Sequence, residues 1–101
     1  MAERNAVREL KQPGGQLLAR IELQDGKPHG VMKEWSAEGT LTVEAHLNNG
    51  QYHGRYKSWW GNGQLKEEGT YHNGQRVGRY CWYKENGDLW SEHDYGGQPA
   101  L

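Results

Sequence analysis

Along residues 17–23 every second position is apolar: Leu17, Ala19, Ile21 and Leu23, with Arg20 and Glu22 among the intervening positions. Residues 41–47 repeat the pattern with Leu41, Val43, Ala45 and Leu47, separated by Thr42, Glu44 and His46. Alternation with a period of two marks a strand that buries one face. The two stretches lie 24 residues apart, and the same interval recurs along the chain. It relates Gly26, Gly50 and Gly74, then Gly30, Gly54 and Gly78, then Gly39, Gly63 and Gly87. Leu17, Leu41, Leu65 and Leu89 form a further column, as do Met32, Tyr56 and Tyr80, Trp35, Trp59 and Tyr83, and Glu44, Glu68 and Glu92. A fixed period of this length is the signature of a repeat architecture.

Each unit reads as two strands. The first runs over residues 30–36, 54–60 and 78–84, and the second over 40–47, 64–71 and 88–95, with 16–23 as the second strand of a leading half repeat. Asp25-Gly26, Asn49-Gly50 and Asn73-Gly74 join one unit to the next. Such dipeptides favour two-residue hairpin turns, because both residues tolerate positive φ. The turns inside units end in Gly39, Gly63 and Gly87 and suit three-residue loops. The fold class expected is all-β: a single elongated, twisted antiparallel meander of about seven main strands. Its domains are a half repeat at 15–24, repeats at 25–48, 49–72 and 73–96, and a C-terminal tail at 98–101. Residues 1–14 are expected as a tail or short helix ended by Pro13, Gly14 and Gly15.

The facing of the first strands needs an irregularity. Met32 and Trp35 are three apart, as are Tyr56 and Trp59, and Tyr80 and Tyr83. Residues three apart on a regular strand point to opposite faces. A two-residue turn at Asp25-Gly26 pairs Ile21 with Gly30, and a three-residue turn ending at Gly39 pairs Trp35 with Leu41. Both registers keep the apolar residues on one face only if the first strand shifts phase between Met32 and Trp35.

Composition narrows the function. Of the 101 residues 34% are hydrophobic and none is Phe, which argues against a thick two-layer core, yet 11% are aromatic. The formal net charge of -1 offers no basic field for nucleic acid. Arg4, Arg8 and Lys11 make the N-terminal segment only mildly basic. Cys81 is the single cysteine, so no internal disulfide framework exists. No apolar run approaches the roughly 20 residues of a membrane span, and residues 1–10 lack a signal-peptide core. A cytoplasmic location is the expectation.

The unit Asn49-Gly50-Gln51-Tyr52-His53-Gly54-Arg55-Tyr56-Lys57, followed by Trp59-Trp60 and the run from Asn62-Gly63-Gln64-Leu65 to Tyr71, resembles the MORN repeat. It is most similar to the bacterial variant found in antitoxin components of toxin–antitoxin systems. Residues 73–95 depart at Val77 and Trp90, and residues 25–48 at Thr42 and Val43; the resemblance extends from Gly15 to Tyr95. It implies a protein-binding antitoxin or immunity role. Fold alone does not fix function.

Candidate chemistry is weak beside its plainer explanations. His29 and His53 share one column, but equivalent positions two strands apart are about 9–10 Å from each other, too far to share one metal ion. The other histidines, His46, His72 and His93, form no ligand motif. Glu44, Glu68 and Glu92 have the spacing of a paired-carboxylate site but read as a solvated ladder. Cys81 reads as a buried thiol. The expectation is a protein without catalysis, metal or cofactor.

Binding is the remaining class. Columns that vary between repeats yet hold large aromatic residues are the best candidates. Trp60 stands where other repeats have Ser36 and Lys84, Trp82 where they have Glu34 and Ser58, and Trp90 where they have Thr42 and Lys66. The turn closing at Gly87 is expected to place Trp82 directly opposite Trp90, on the face away from Leu89; the pair either binds or locks the last hairpin. Arg55 and Arg79 lie nearby in sequence, and Trp and Arg are common hot-spot residues. The expected function is a protein-binding module that neutralises a toxin or effector by covering it. The alternatives are a homo-oligomeric scaffold joined through sheet edges, and a carbohydrate or lipid-headgroup binder using an exposed Trp face.

Overall fold

A computed structural model describes residues 4–97. Eight strands form one antiparallel sheet in strict chain order. They are β1 (Asn5–Lys11), β2 (Leu17–Gln24), β3 (Lys27–Trp35), β4 (Leu41–Asn48), β5 (Gln51–Trp59), β6 (Leu65–His72), β7 (Gln75–Tyr83) and β8 (Leu89–Asp94). The molecule measures 43 × 41 × 13 Å, the thickness of a single layer with its side chains. Each strand packs mainly on its neighbours in sequence, as in other linear repeats.

The joints follow the turn chemistry. Asp25, Asn49 and Asn73 have φ of 52, 51 and 48°, and the Gly after each is also positive, so the three two-residue turns are of the primed type that matches strand twist. These turns are also laced to the preceding unit: Gly50 N–H donates to the Pro28 carbonyl and Gly74 N–H to the Tyr52 carbonyl, both at 2.8 Å. Inside units, Trp60 and Gln64 close a three-residue loop ending at Gly63, and Ser36–Thr40 and Lys84–Asp88 do the same.

The N-terminal segment departs from expectation. Residues 5–11 are neither a helix nor a tail but the first strand, paired along β2. The boundary drawn at residues 14 and 15 falls inside a hairpin loop in which Gln12 N–H donates to the Gln16 carbonyl and Gly15 N–H to the Gln12 carbonyl. Pro13 takes the second position of that turn, where its fixed φ is an advantage. β2 would otherwise expose a row of unpaired backbone groups, and Asp25 fastens the far end by accepting from the Arg4 N–H at 3.0 Å. The expected C-terminal tail at 98–101 lies outside the described residues, as do residues 1–3.

The phase shift lies in the other strand of each unit. Glu34 pairs with Val43 and Trp35 with Leu41, leaving Thr42 as the extra residue of a bulge in β4. Leu18, Lys66 and Trp90 are extra in β2, β6 and β8 at the same repeat position. Leu41 therefore joins Trp35 on the face opposite Val43 and Ala45, and the expected single apolar face of residues 41–47 is split between the two sides. Met32 and Trp35 do point to opposite faces, with no bulge needed in their own strand. A second irregularity moves β3 by two residues around Gly30, so that Ile21 pairs with Met32 and not with Gly30. The carboxylate of Glu22 fills that gap, accepting from the Val31 N–H at 2.7 Å.

Candidate binding face

The register sorts the side chains into two sides. One carries the row Ile21, Met32, Ala45, Tyr56, Gly69 and Tyr80, together with Tyr52, Tyr71, Trp82 and Tyr95. The other carries the pairs Trp35–Leu41, Trp59–Leu65 and Tyr83–Leu89 with the ladder Glu44, Glu68 and Glu92.

Tyr80 anchors the first side. It is wholly buried, although the sheet has only one layer. A Cβ added at Gly69 would come within 2.0 Å of Tyr80 Cδ2, so the bare glycine lets the ring lie on the β6 backbone. Tyr71, Trp82 and Tyr95 surround the ring at centroid separations of 5.9, 4.9 and 6.3 Å. The Tyr80 hydroxyl donates to Glu67 Oε1 at 2.7 Å. Burial and this bond push the hydroxyl well above the usual phenol range. Tyr52, Tyr56 and Tyr71 continue the cluster toward β4 with separations of 5.1–5.6 Å. Burial, reinforced by Glu67, pushes Tyr56 up to about 12.

Arg76 lies across this cluster. Its Cζ is 4.7 Å from the Tyr80 centroid, 5.5 Å from Trp82, 5.9 Å from Tyr71 and 6.0 Å from Tyr95. The side chain stays exposed to solvent. Sequence reasoning passed over it. The signal was present, because Arg76 stands in a variable column with Pro28 and Tyr52, and the same criterion had picked out the tryptophans.

The five expected binding residues do not form one site. Trp82 and Trp90 share a shallow concavity with Ser91 on the tyrosine side. Trp82 faces Ser91 directly, and Trp90 is the bulged residue beside it. Arg55 and Arg79 line a cleft on the other side, with Lys57, Glu68, Thr70 and Cys81. There Arg79 Nε donates to Glu92 Oε2 at 2.9 Å. Trp60 sits apart at the end of β5, half-buried, its indole N–H donating to the Tyr83 carbonyl at 3.1 Å and Lys66 Nζ 4.7 Å above its ring. That geometry ties one repeat to the next.

The glutamate column and His53 are individually engaged. Glu44 pairs with Lys33 at 3.7 Å, Glu68 accepts from the Tyr83 hydroxyl at 2.8 Å, and Glu92 holds Arg79. The bond to Glu68, with burial, pushes Tyr83 up to about 12. His53 Nδ1 accepts from the Asn73 N–H at 3.2 Å, and its ring lies 4.7 Å from His72. His29 Nδ1, its repeat equivalent, is buried without a hydrogen-bond partner. Among the described residues no group of three His, Cys, Asp or Glu is arranged to hold a metal ion.

The family model described as MORN repeat variant matches residues 28–49, 52–73 and 76–95, more than half of the chain. The chain is a MORN-repeat protein. Each matched segment is one strand pair: β3 with β4, β5 with β6, β7 with β8. The pair β1–β2 lies outside the match but adopts the same MORN geometry, down to the bulge at Leu18. Comparison with curated proteins and with solved structures gives no match. MORN repeats are in general protein- or lipid-binding modules rather than catalytic ones, so the face they present is the place to look for function.

Proposed function

We propose that this MORN-repeat protein is a non-catalytic protein-binding module whose working surface is the C-terminal half of the tyrosine side. The observation that carries this reading is the exposed guanidinium of Arg76 laid over Tyr71, Tyr80, Trp82 and Tyr95. Tyr, Trp and Arg dominate binding hot spots, and a rigid aromatic platform loses little entropy when covered. No second layer among the described residues covers this side. The mechanism is occlusion: the flat face covers the partner's own working surface. A toxin or effector as that partner is the specific form of the reading, supported by the resemblance to antitoxin components.

The test is copurification from the native host with mass spectrometry, comparing wild type, Arg76→Glu and Arg55→Glu. Both substitutions fall on exposed side chains of opposite faces. The expected result is one protein recovered in stoichiometric amount with wild type and Arg55→Glu and lost with Arg76→Glu. Loss with Arg55→Glu alone moves the site to the other face, and no stoichiometric protein with any variant overturns protein binding. For the toxin form, the recovered partner is assayed with and without one equivalent of the chain; undiminished activity defeats occlusion.

A further inference from the structure

Among the described residues, the large hydrophobic side chains left exposed are Val7, Leu10, Leu89, Trp90 and Tyr95. Two lie on β1, two on β8 and one just beyond it, so exposure is confined to the two edges of the sheet. Leu10 is 61% exposed and Trp90 69%. The edges also differ in charge: Arg4, Arg8 and Lys11 flank Glu9 on the first, while Asp88, Glu92 and Asp94 lie along the last.

We infer that the 101-residue chain associates head to tail with further copies of itself, β1 of one copy adding to β8 of the next. The repeat fixes the register. β1 holds the repeat position of β3, β5 and β7, which is the type of strand that follows each second strand inside the sheet. Eight is an even number, so the incoming β1 has the antiparallel sense that β8 requires. The joints β2–β3, β4–β5 and β6–β7 pair Ala19 with Glu34, Val43 with Ser58 and Glu67 with Trp82. Carried on by one step, the same register pairs Ser91 with Leu10 of the next copy, His93 with its Arg8 and Tyr95 with its Arg4.

The contacts this makes have counterparts inside the molecule. Arg4 is the repeat equivalent of Arg76, which pairs with Tyr71 and lies over its ring. The next copy's Arg4 meets Tyr95 in the same way and continues the cation–aromatic stack across the junction. Its Leu10 lands opposite Ser91 and beside Trp90, covering the most exposed of the five hydrophobic side chains. The bulge at Trp90 is no barrier, since Leu18, Thr42 and Lys66 bulge equivalently inside the sheet. The register also sets Glu92 against Glu9. Arg20 and Lys33 are already paired this way in the interior, each neutralised by its own glutamate. Glu92 has Arg79 and Glu9 has Lys11 in that role.

A heterologous junction of this kind leaves one free edge at each end and so is open-ended. The test is the mass of the purified chain by sedimentation across a thousandfold range of concentration, with three variants. Wild type is expected to grow beyond dimer as concentration rises. Leu10→Arg blocks the head and Trp90→Arg the tail; each alone is expected to stay monomeric, and an equimolar mixture to form a species of twice the monomer mass and no larger. Arg4→Glu is expected to weaken wild-type growth at least tenfold in concentration. Circular dichroism matching wild type confirms that these exposed substitutions keep the fold. Wild type that stays monomeric throughout overturns the inference, as does growth that stops at dimer, which signifies symmetric pairing of like edges. Dimerisation of Leu10→Arg on its own has the same meaning. The junction and the Arg76 surface share Tyr95, over which Arg76 lies, and they are told apart at Leu10, which stands on the opposite edge from that surface.

Discussion

Tyr80 is buried because of what its neighbour lacks. Gly69→Ala places a methyl group inside the ring's position, and a strand on one side and four aromatic or charged groups on the other leave little room to yield. The expected cost is about 1–3 kcal/mol or more in chemical denaturation, whereas Gly61→Ala, with nothing near its Cβ, changes stability by about 0.5 kcal/mol or less. Equal effects of the two substitutions would remove Gly69 from its role. Trp60→Ala is expected to lower stability by about 1–2 kcal/mol, since it deletes a bond to the next repeat and half-buried ring area. That gives Trp60 a structural role beside the binding role its varying column suggested. The repeat pattern shows which positions vary but cannot show that the Trp60 N–H reaches the Tyr83 carbonyl. The phenols make a prediction about pH. Tyr56 and Tyr83 are raised to about 12 from an unfolded value of 10, the first mainly by burial and the second mainly by its bond to Glu68. The folded state thus holds these protons more tightly, so their stabilisation is full below pH 10 and is lost as pH rises through 12. Phenolate absorbance of the native chain is expected to lag that of the denatured chain over this window; coincident curves would count against it.

At the scale of the hairpin, turn chemistry and strand patterning act together. Replacing Gly50 or Gly74 by Val forces a β-branched residue to φ near 85°, at a cost above about 1 kcal/mol, read as a lowered denaturation midpoint. The fold was legible from the sequence because the Asn-Gly and Asp-Gly joints have no easy alternative. The need for an irregularity in each unit was legible from the two turn registers, but its place was not, because Leu18, Thr42, Lys66 and Trp90 have nothing in common chemically. A bulge is fixed by the difference in register between two successive turns, and alternation read on one strand is blind to its partner. β1 was missed for a related reason. Arg8 and Lys11 occupy the columns of Met32 and Trp35 without their apolar character, and the Pro13 to Gly15 run, read as the end of a helix, is the turn of a hairpin. The tyrosine cluster was only half visible, since Gly69 reads as a weak strand residue until Tyr80 is seen on top of it.

The whole molecule has no centre in the usual sense. Interactions run mainly between neighbouring strands, so stability is expected to fall off from the middle outward, as a chain of nearest-neighbour couplings does. Amide exchange is expected to be slowest in the interior strands β3–β7, where Met32, Ala45, Ser58, Val77, Tyr80 and Cys81 are buried, and fastest in β1 and β8, whose residues are all exposed. Uniform protection across the eight strands would indicate coupling that the sheet does not display. Mixed-size assemblies would slow exchange in β1 and β8 first, an effect that should grow with protein concentration.

The meander also dictates how the protein responds to being pulled. Its first and last described strands form opposite edges of the sheet, and every connection between strands is a short hairpin. Tension between the two ends therefore acts on the outermost ladders first and opens their bonds one after another, as a zip opens, instead of loading a whole ladder at once. Such a chain lengthens strand by strand at low force and can recoil the same way. A sheet of this shape is expected to act as a soft spring, held most firmly where Tyr80 of β7 is buried against Gly69 of β6.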